Sequence, residues 1–281
     1  VPSMVLGNPD GGAMVETAYK TKEVVAPAYY AFTARSMAEV ADALGKEEDA
    51  DNYRQLYEKI KKAFAEEYIR KDGTIQSDLQ GVYVIALKNN LVPEAQKPAV
   101  IKRLRELIKN NRGCLDTGFL SILFLMDVLC ENDCRDVAYS LLYQKQCPSW
   151  LYEVEHGATT MWESWGAIGE DGTVSTYSYN HYAFGCVGEW MYRELGGIQA
   201  KLPGYKKIVI KPALDCGLES VHASQYTPYG KVVVDWVKSD LNINVKVQIP
   251  ANTTAEIVLP NLVKEIGSGN YEYQFTDKIV F

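Results

Sequence analysis

The run LNINVKVQI, residues 241–249, decides the fold. Leu241, Ile243, Val245, Val247 and Ile249 alternate with Asn242, Asn244, Lys246 and Gln248. A period of two sends alternate side chains to opposite faces of a pleated strand, so the run reads as a half-buried β-strand. On either side of it, residues 207–211, 221–226, 231–237, 255–259 and 271–275 read as further strands. Turns rich in Gly, Asn and Pro separate them at the spacing of an antiparallel sandwich.

Upstream of Pro203-Gly204 the period is helical. Residues 1–20 are rich in Gly, Pro and polar side chains and read as irregular. Residues 23–44 carry Tyr30, Met37, Val40 and Leu44 near helical spacing, and Gly45 follows as a stop. Residues 49–69 place Tyr53, Leu56, Tyr57, Ile60, Phe64 and Tyr68 on the i, i+3, i+4 rule. Lys71-Asp72-Gly73 is a turn. Further helices are expected over 76–88, from Pro93 through Ile108, and over 117–129, 135–144 and 182–195, the last stopped by Gly196-Gly197. Residues 148–179 are dense in Gly, Trp and Glu and read as a structured loop with one short helix at most. The expected organisation is about eight helices over residues 1–203, then an all-β domain over 204–281.

Composition narrows the class. The 281 residues suggest about two domains, since a domain runs to roughly 150 residues. A net charge of -7 gives no basic footprint for nucleic acid. The longest apolar run, around 120–129, is broken by Ser121 and Asp127 and falls short of the ~20 residues that span a bilayer. No basic segment leads into an apolar stretch as in a signal peptide, and a start at Val1 rather than Met points to a processed or excised piece. Six dispersed cysteines and three histidines do not meet zinc-type spacing, so no metal site is expected and the thiols read as buried and free. The 19 tyrosines and five tryptophans are a mild pointer to sugar stacking.

Chemistry concentrates in the loop 148–182. Glu163 stands between Trp162 and Trp165, and His181 follows eighteen residues on. Trp can stack on a pyranose face, a carboxylate can activate water, and His can bond ring hydroxyls, which together suit glycoside hydrolysis. Taken alone, a Glu beside Trp is more often solvated or structural, and His181 more often a packed histidine. Glu153 and Glu155 alternate with Tyr152 and Val154 and read as one solvated edge. Asp116, before Thr117, reads as a helix N-cap or first-turn acid. No nucleophile elbow, P-loop or GxGxxG fingerprint occurs, so acyl transfer and nucleotide chemistry have no support.

The runs PSWLYEVEHGATTMWESWG (148–166), SYNHYAFGCVGEWMYRELGGI (178–198) and PGYKKIVIKP (203–212) resemble the C-terminal half of bacterial α-L-rhamnosidases of glycoside hydrolase family 78. LDTGF (115–119), TPYG (227–230) and Trp236 fit the same pattern. The resemblance covers about residues 20–260 and implies an (α/α)6 barrel, incomplete here, followed by an antiparallel β-sandwich. It implies an inverting hydrolase of rhamnose-containing glycosides or polysaccharides that needs no cofactor, with Glu163 as general base and His181 as a sugar contact. Trp150, Trp162 and Trp165 become candidates for the pocket wall. The family's general acid lies in an acidic motif well upstream, and this chain shows no equivalent of it. Family members commonly read WERWD, where this chain has Ser164 and Gly166 in place of the Arg and Asp. That departure keeps two alternatives open: a non-catalytic carbohydrate-binding protein, and a related (α/α)6 glycosidase for another sugar. Substrates of the family imply a periplasmic or secreted parent, while free thiols equally allow the cytoplasm. An incomplete barrel would expose apolar helix faces, so homo-oligomerisation through them is expected.

Overall fold

The computed structural model describes residues 11–239 and 242–276. It divides into two compact units, Val1–Cys186 and Val187–Phe281.

The first unit is helical. In chain order its elements are α1 (Gly11–Ala43), α2 (Glu47–Tyr68), α3 (Gln80–Lys88), α4 (Lys97–Asn110), α5 (Phe119–Glu131), α6 (Arg135–Leu142) and α7 (Trp150–Glu155). α1 packs on α2, α3 on α4, and α5 on α6, so the helices form hairpins, and α3 also meets α1 and α5. α3 is innermost, with every residue from Gln80 to Leu87 buried.

α1 begins well before the expected residue 23. The buried face is made of Thr17, Thr21, Val24, Ala28, Ala31, Ala34, Ala38 and Ala41. The packing stripe therefore carries little bulk. Tyr30, Met37, Val40 and Leu44 lie on the open side, 39–67% exposed. The larger apolar residues thus traced a helical period without marking the packed face.

α3 starts later than expected because Ser77 and Asp78 take positive φ, 77° and 44°. The Asp78 carboxylate is held there by Arg103 at 2.5 and 3.1 Å and by the Tyr83 hydroxyl, which donates to it at 2.5 Å. These bonds hold a backbone conformation that non-glycine residues rarely adopt. Pro98 sits in the first turn of α4, where its missing N–H costs nothing. Asp116 is not a cap: Gly118 is the N-cap of α5, and Asp116 is buried. Its backbone N–H donates to the Gln80 side chain at 2.9 Å.

The second unit carries two four-stranded sheets. Its strands are β1 (Ile198–Ala200), β2 (Lys207–Ile210), β3 (Ser220–Thr227), β4 (Gly230–Ser239), β5 (Asn242–Ile249), β6 (Thr254–Leu259), β7 (Leu262–Ile266) and β8 (Gly269–Thr276). One sheet has the order β1-β2-β6-β7 and the other β3-β4-β5-β8. β5 realises the alternation that opened the reading: Ile243, Val245, Val247 and Ile249 are buried, while Asn242, Asn244, Lys246 and Gln248 take the other face. Leu241 lies outside the described residues. Trp236 on β4 stands opposite Val245, is fully buried, and donates its indole N–H to the Leu195 carbonyl at 3.1 Å.

Four features differ from the sequence expectation. β1 already pairs with β2 ahead of Pro203, so strands begin before residue 204; three residues are too few to show a period. β7 was not foreseen, because Val263, Lys264 and Glu265 are all exposed and no alternation marks it. β2 and β6 pair in parallel, an orientation that strand pattern does not encode. The expected helix over 182–195 is a 3-10 turn at Ala183–Gly185, then α8 (Cys186–Trp190), then a π-helical turn at Met191–Leu195. Gly197 ends it with φ of 72°, and a Cβ there would stand 2.2 Å from the Pro212 nitrogen, so only glycine fits.

Candidate active site

The loop after α7 is built on few regular backbone ladders. Ser149 caps α7 by accepting the Tyr152 N–H at 3.1 Å. Gly157, at φ of 79°, turns the chain out of the helix. The segment 160–163 then runs beside 178–181. The Glu163 N–H donates to the Ser178 carbonyl at 2.9 Å, and the His181 N–H to the Met161 carbonyl at 2.8 Å. Thr160 donates its hydroxyl to the Tyr179 carbonyl at 2.5 Å. This pairing brings Glu163 and His181, distant in sequence, onto adjoining segments.

Glu163 is half-buried, and its Oε2 accepts the Ser178 N–H at 2.9 Å. One carboxylate oxygen is thereby fixed by the opposite segment. His181 stacks between two rings, Phe119 at 4.7 Å and Tyr182 at 5.3 Å. Its Nδ1 accepts the Ala183 N–H at 3.3 Å. Phe119 is 38% exposed, so this stack lies at the surface of the unit.

The three tryptophans sit deeper. Trp150, Trp162 and Trp165 are all 5% exposed or less. Trp150 donates its indole N–H to the Phe184 carbonyl at 2.9 Å, and Trp165 donates to the Thr117 carbonyl at 3.2 Å. Trp165 lies flat on Phe184 at 3.7 Å, and Trp162 meets Tyr179 edge-on at 5.8 Å. All three rings are packed within the unit.

Glu153 was read as part of a solvated edge, and here the structure corrects the reading. Glu155 is exposed and pairs with Lys145 at 2.6 Å. Glu153 is 2% exposed, and its Oε2 accepts the Trp162 N–H at 3.1 Å. Desolvation pushes its carboxyl up to about 7, against the opposing pull of that N–H. The nearby Cys147 thiol is pushed up to about 11 by burial. The signal that could have found Glu153 is its i+3 spacing from Trp150, which puts both on the inward face of a short helix. The signal for Phe119 was present in LDTGF; Ser178 acts through its backbone and has none.

Known proteins bear on this arrangement. The bacterial alpha-L-rhamnosidase 6 hairpin glycosidase domain matches residues 12–195, and the bacterial alpha-L-rhamnosidase C-terminal domain matches residues 197–274. An α-L-rhamnosidase of Streptomyces avermitilis is 41% identical over 242 residues, covering 85% of this chain and 23% of that protein. One from Formosa agariphila is 36% identical, covering 84% of this chain and 26% of the relative. The crystal structure of the Streptomyces avermitilis α-L-rhamnosidase complexed with L-rhamnose is similar at a TM-score of 0.86 and 38% identity, over 90% of this chain and 27% of that one. The native α-L-rhamnosidase from Aspergillus terreus is similar at 0.84 and 32%, over 88% and 30%. Helical hairpins followed by a two-sheet β-domain are the architecture of a six-hairpin glycosidase with its C-terminal domain. The chain belongs to the bacterial α-L-rhamnosidase family. It spans about a quarter of the length of the curated relatives it matches.

Proposed function

We propose that this chain carries the water-activating side of an α-L-rhamnosidase site, with Glu163 as general base and His181 as a sugar contact. The observation that carries the reading is the pairing of segments 160–163 and 178–181, which fixes one oxygen of Glu163 and sets His181 on the adjoining segment. The other oxygen, Oε1, is the one proposed to take a proton from water. In an inverting displacement that water attacks the anomeric carbon while an acid on the opposite face protonates the leaving oxygen, the two carboxyls standing ~6.5–9.5 Å apart. The family pattern puts that acid upstream, and the proposal keeps it there. The substrate class is a terminal rhamnoside of a glycoside or polysaccharide, as the names of the relatives suggest. Trp150, Trp162 and Trp165 support the loop in this reading.

An activated aryl α-L-rhamnoside tests it, because a good leaving group needs little protonation. Glu163→Gln is expected to lower turnover by roughly 10²–10⁴-fold, the usual range for a lost general base. Proton NMR of the first product should show the inverted anomer. Near-normal turnover in Glu163→Gln overturns the base assignment. Rhamnose binding without hydrolysis, even with the upstream region restored, supports the carbohydrate-binding alternative that Ser164 and Gly166 raise.

A further inference from the structure

We propose that Glu153 is the positioning residue of the Glu163 loop: its backbone carbonyl holds the near end of the segment 158–162, and its buried side chain clamps the far end and so sets where Glu163 points. This rests on the reading of Glu163 as general base. At the near end, the Glu153 carbonyl accepts the Ala158 N–H at 3.0 Å. At the far end, its Oε2 accepts the Trp162 N–H at 3.1 Å, and the next residue is Glu163. The residues flanking that bond, Tyr152 and Trp162, belong to a buried apolar cluster with Ala167, against which Cys147, Ala158, Ile168 and Tyr179 pack. The clamp therefore closes in a dry setting, where one hydrogen bond counts for more than it does in water.

The second oxygen makes the clamp sensitive to pH. Among the described residues, Glu153 Oε1 is fully enclosed and has no hydrogen-bond partner. A neutral carboxyl tolerates that, but a carboxylate does not, because a buried charge needs compensation on each oxygen. The ionisable groups around it offer none. The Cys147 thiol is neutral well past pH 8, since burial pushes it up to about 11, and it faces the Trp165 carbonyl at 3.6 Å. On its own helix, Glu155 is spoken for by Lys145, and the His156 Nδ1 lies 2.8 Å from the Tyr152 carbonyl. The Tyr152 hydroxyl donates to the Ile168 carbonyl, and the Tyr179 hydroxyl to Ala167 and Ser175. Glu163 would add a like charge. Ionisation near neutral pH strengthens the single Trp162 bond but leaves a desolvated charge with its other oxygen unpaired; desolvation is the larger effect, so the carboxylate is drawn toward water and the Trp162 N–H is released.

Amide exchange of the segment 158–163 in the full chain, corrected for the intrinsic rate at each pH, reads the clamp without using activity. In the wild type, protection at Trp162 is expected to fall at least tenfold between pH 6 and pH 8.5. Glu153→Gln keeps a neutral acceptor, so protection should stay within about twofold across that range. Glu153→Leu removes the acceptor and should lower protection at pH 6 to about the level the wild type reaches at pH 8.5. Equal protection in wild type and Glu153→Leu at pH 6 overturns the clamp. The same pH dependence in wild type and Glu153→Gln overturns its release by ionisation. On an aryl rhamnoside, Glu153→Leu is expected to lower kcat at least tenfold with KM little changed, and Glu153→Gln to restore it at pH 6. A Glu163→Gln control run alongside separates the two readings. If that control keeps full turnover, the base assignment fails while the exchange result still decides the clamp.

Discussion

The loop 157–182 and the sheet β3-β4-β5-β8 satisfy buried backbone groups by opposite means. In the sheet, neighbouring strands exchange main-chain hydrogen bonds over registers of seven or eight residue pairs. Side chains there fill space, and many apolar substitutes would do. In the loop, side chains complete what the main chain leaves open. Glu153 takes the Trp162 N–H, Glu163 takes the Ser178 N–H, and the Tyr152 and Tyr179 hydroxyls give to the carbonyls of Ile168 and Ala167. The residues that shape this loop are therefore the ones available for chemistry, and structure and function share side chains there. Substitutions should divide the same way: volume governs in the sheet, hydrogen-bonding capacity in the loop.

The largest break is expected in the sheet. Trp236→Ala empties a fully buried position and frees the Leu195 carbonyl. Large-to-small substitution of this kind costs about 3–5 kcal/mol. Denaturant unfolding of the chain should show that loss in the transition of the β unit. A loss below about 1 kcal/mol would mean that the sheet repacks around the hole. In the loop, Trp165→Phe keeps an aromatic ring against Phe184 but removes the indole N–H that Thr117 accepts. An unpaired buried carbonyl costs about 1–3 kcal/mol. A Phe variant as stable as the wild type would show that stacking, rather than the hydrogen bond, secures the 115–119 segment to the loop.

How far the sequence revealed these regions follows from the same contrast. β5 was legible because alternation is a direct image of a one-sided strand, and Ile243 to Ile249 are buried as the pattern requires. α1 was legible as a helix but not in its packing. Its buried stripe is mostly alanine, and alanine carries little hydrophobic signal, while the larger Tyr30 and Met37 stand on the open face. Parallel pairing of β2 with β6 was not legible, since orientation depends on a long connection rather than on local pattern. In the candidate site, Glu163 and His181 stand out in the sequence through motif and residue type. Glu153 was missed because its neighbours suggested a strand-like edge, whereas a six-residue helix turns it inward. Burial of a carboxylate against backbone N–H groups leaves no mark in composition.

The pair Glu153 and Glu155 gives the finest comparison, two carboxylates on one short helix. Burial raises the Glu153 carboxyl from an ordinary 4.5 to about 7. The folded state then binds the proton more tightly than the unfolded chain. Its stabilising contribution is complete below about pH 4.5 and is lost as pH rises through about 7. The swing is on the order of 3 kcal/mol at ~1.4 kcal/mol per pH unit. Melting temperature followed from pH 5 to pH 8.5 should therefore decline in the wild type and decline less in Glu153→Gln. Glu155 faces solvent with Lys145, and an exposed pair of this kind is worth about 0–1 kcal/mol. Glu155→Gln should leave both the pH slope and the melting point almost unchanged, and salt should erase what difference there is. A pH slope flattened by Glu155→Gln would move the titrating group from the buried side of α7 to the exposed one.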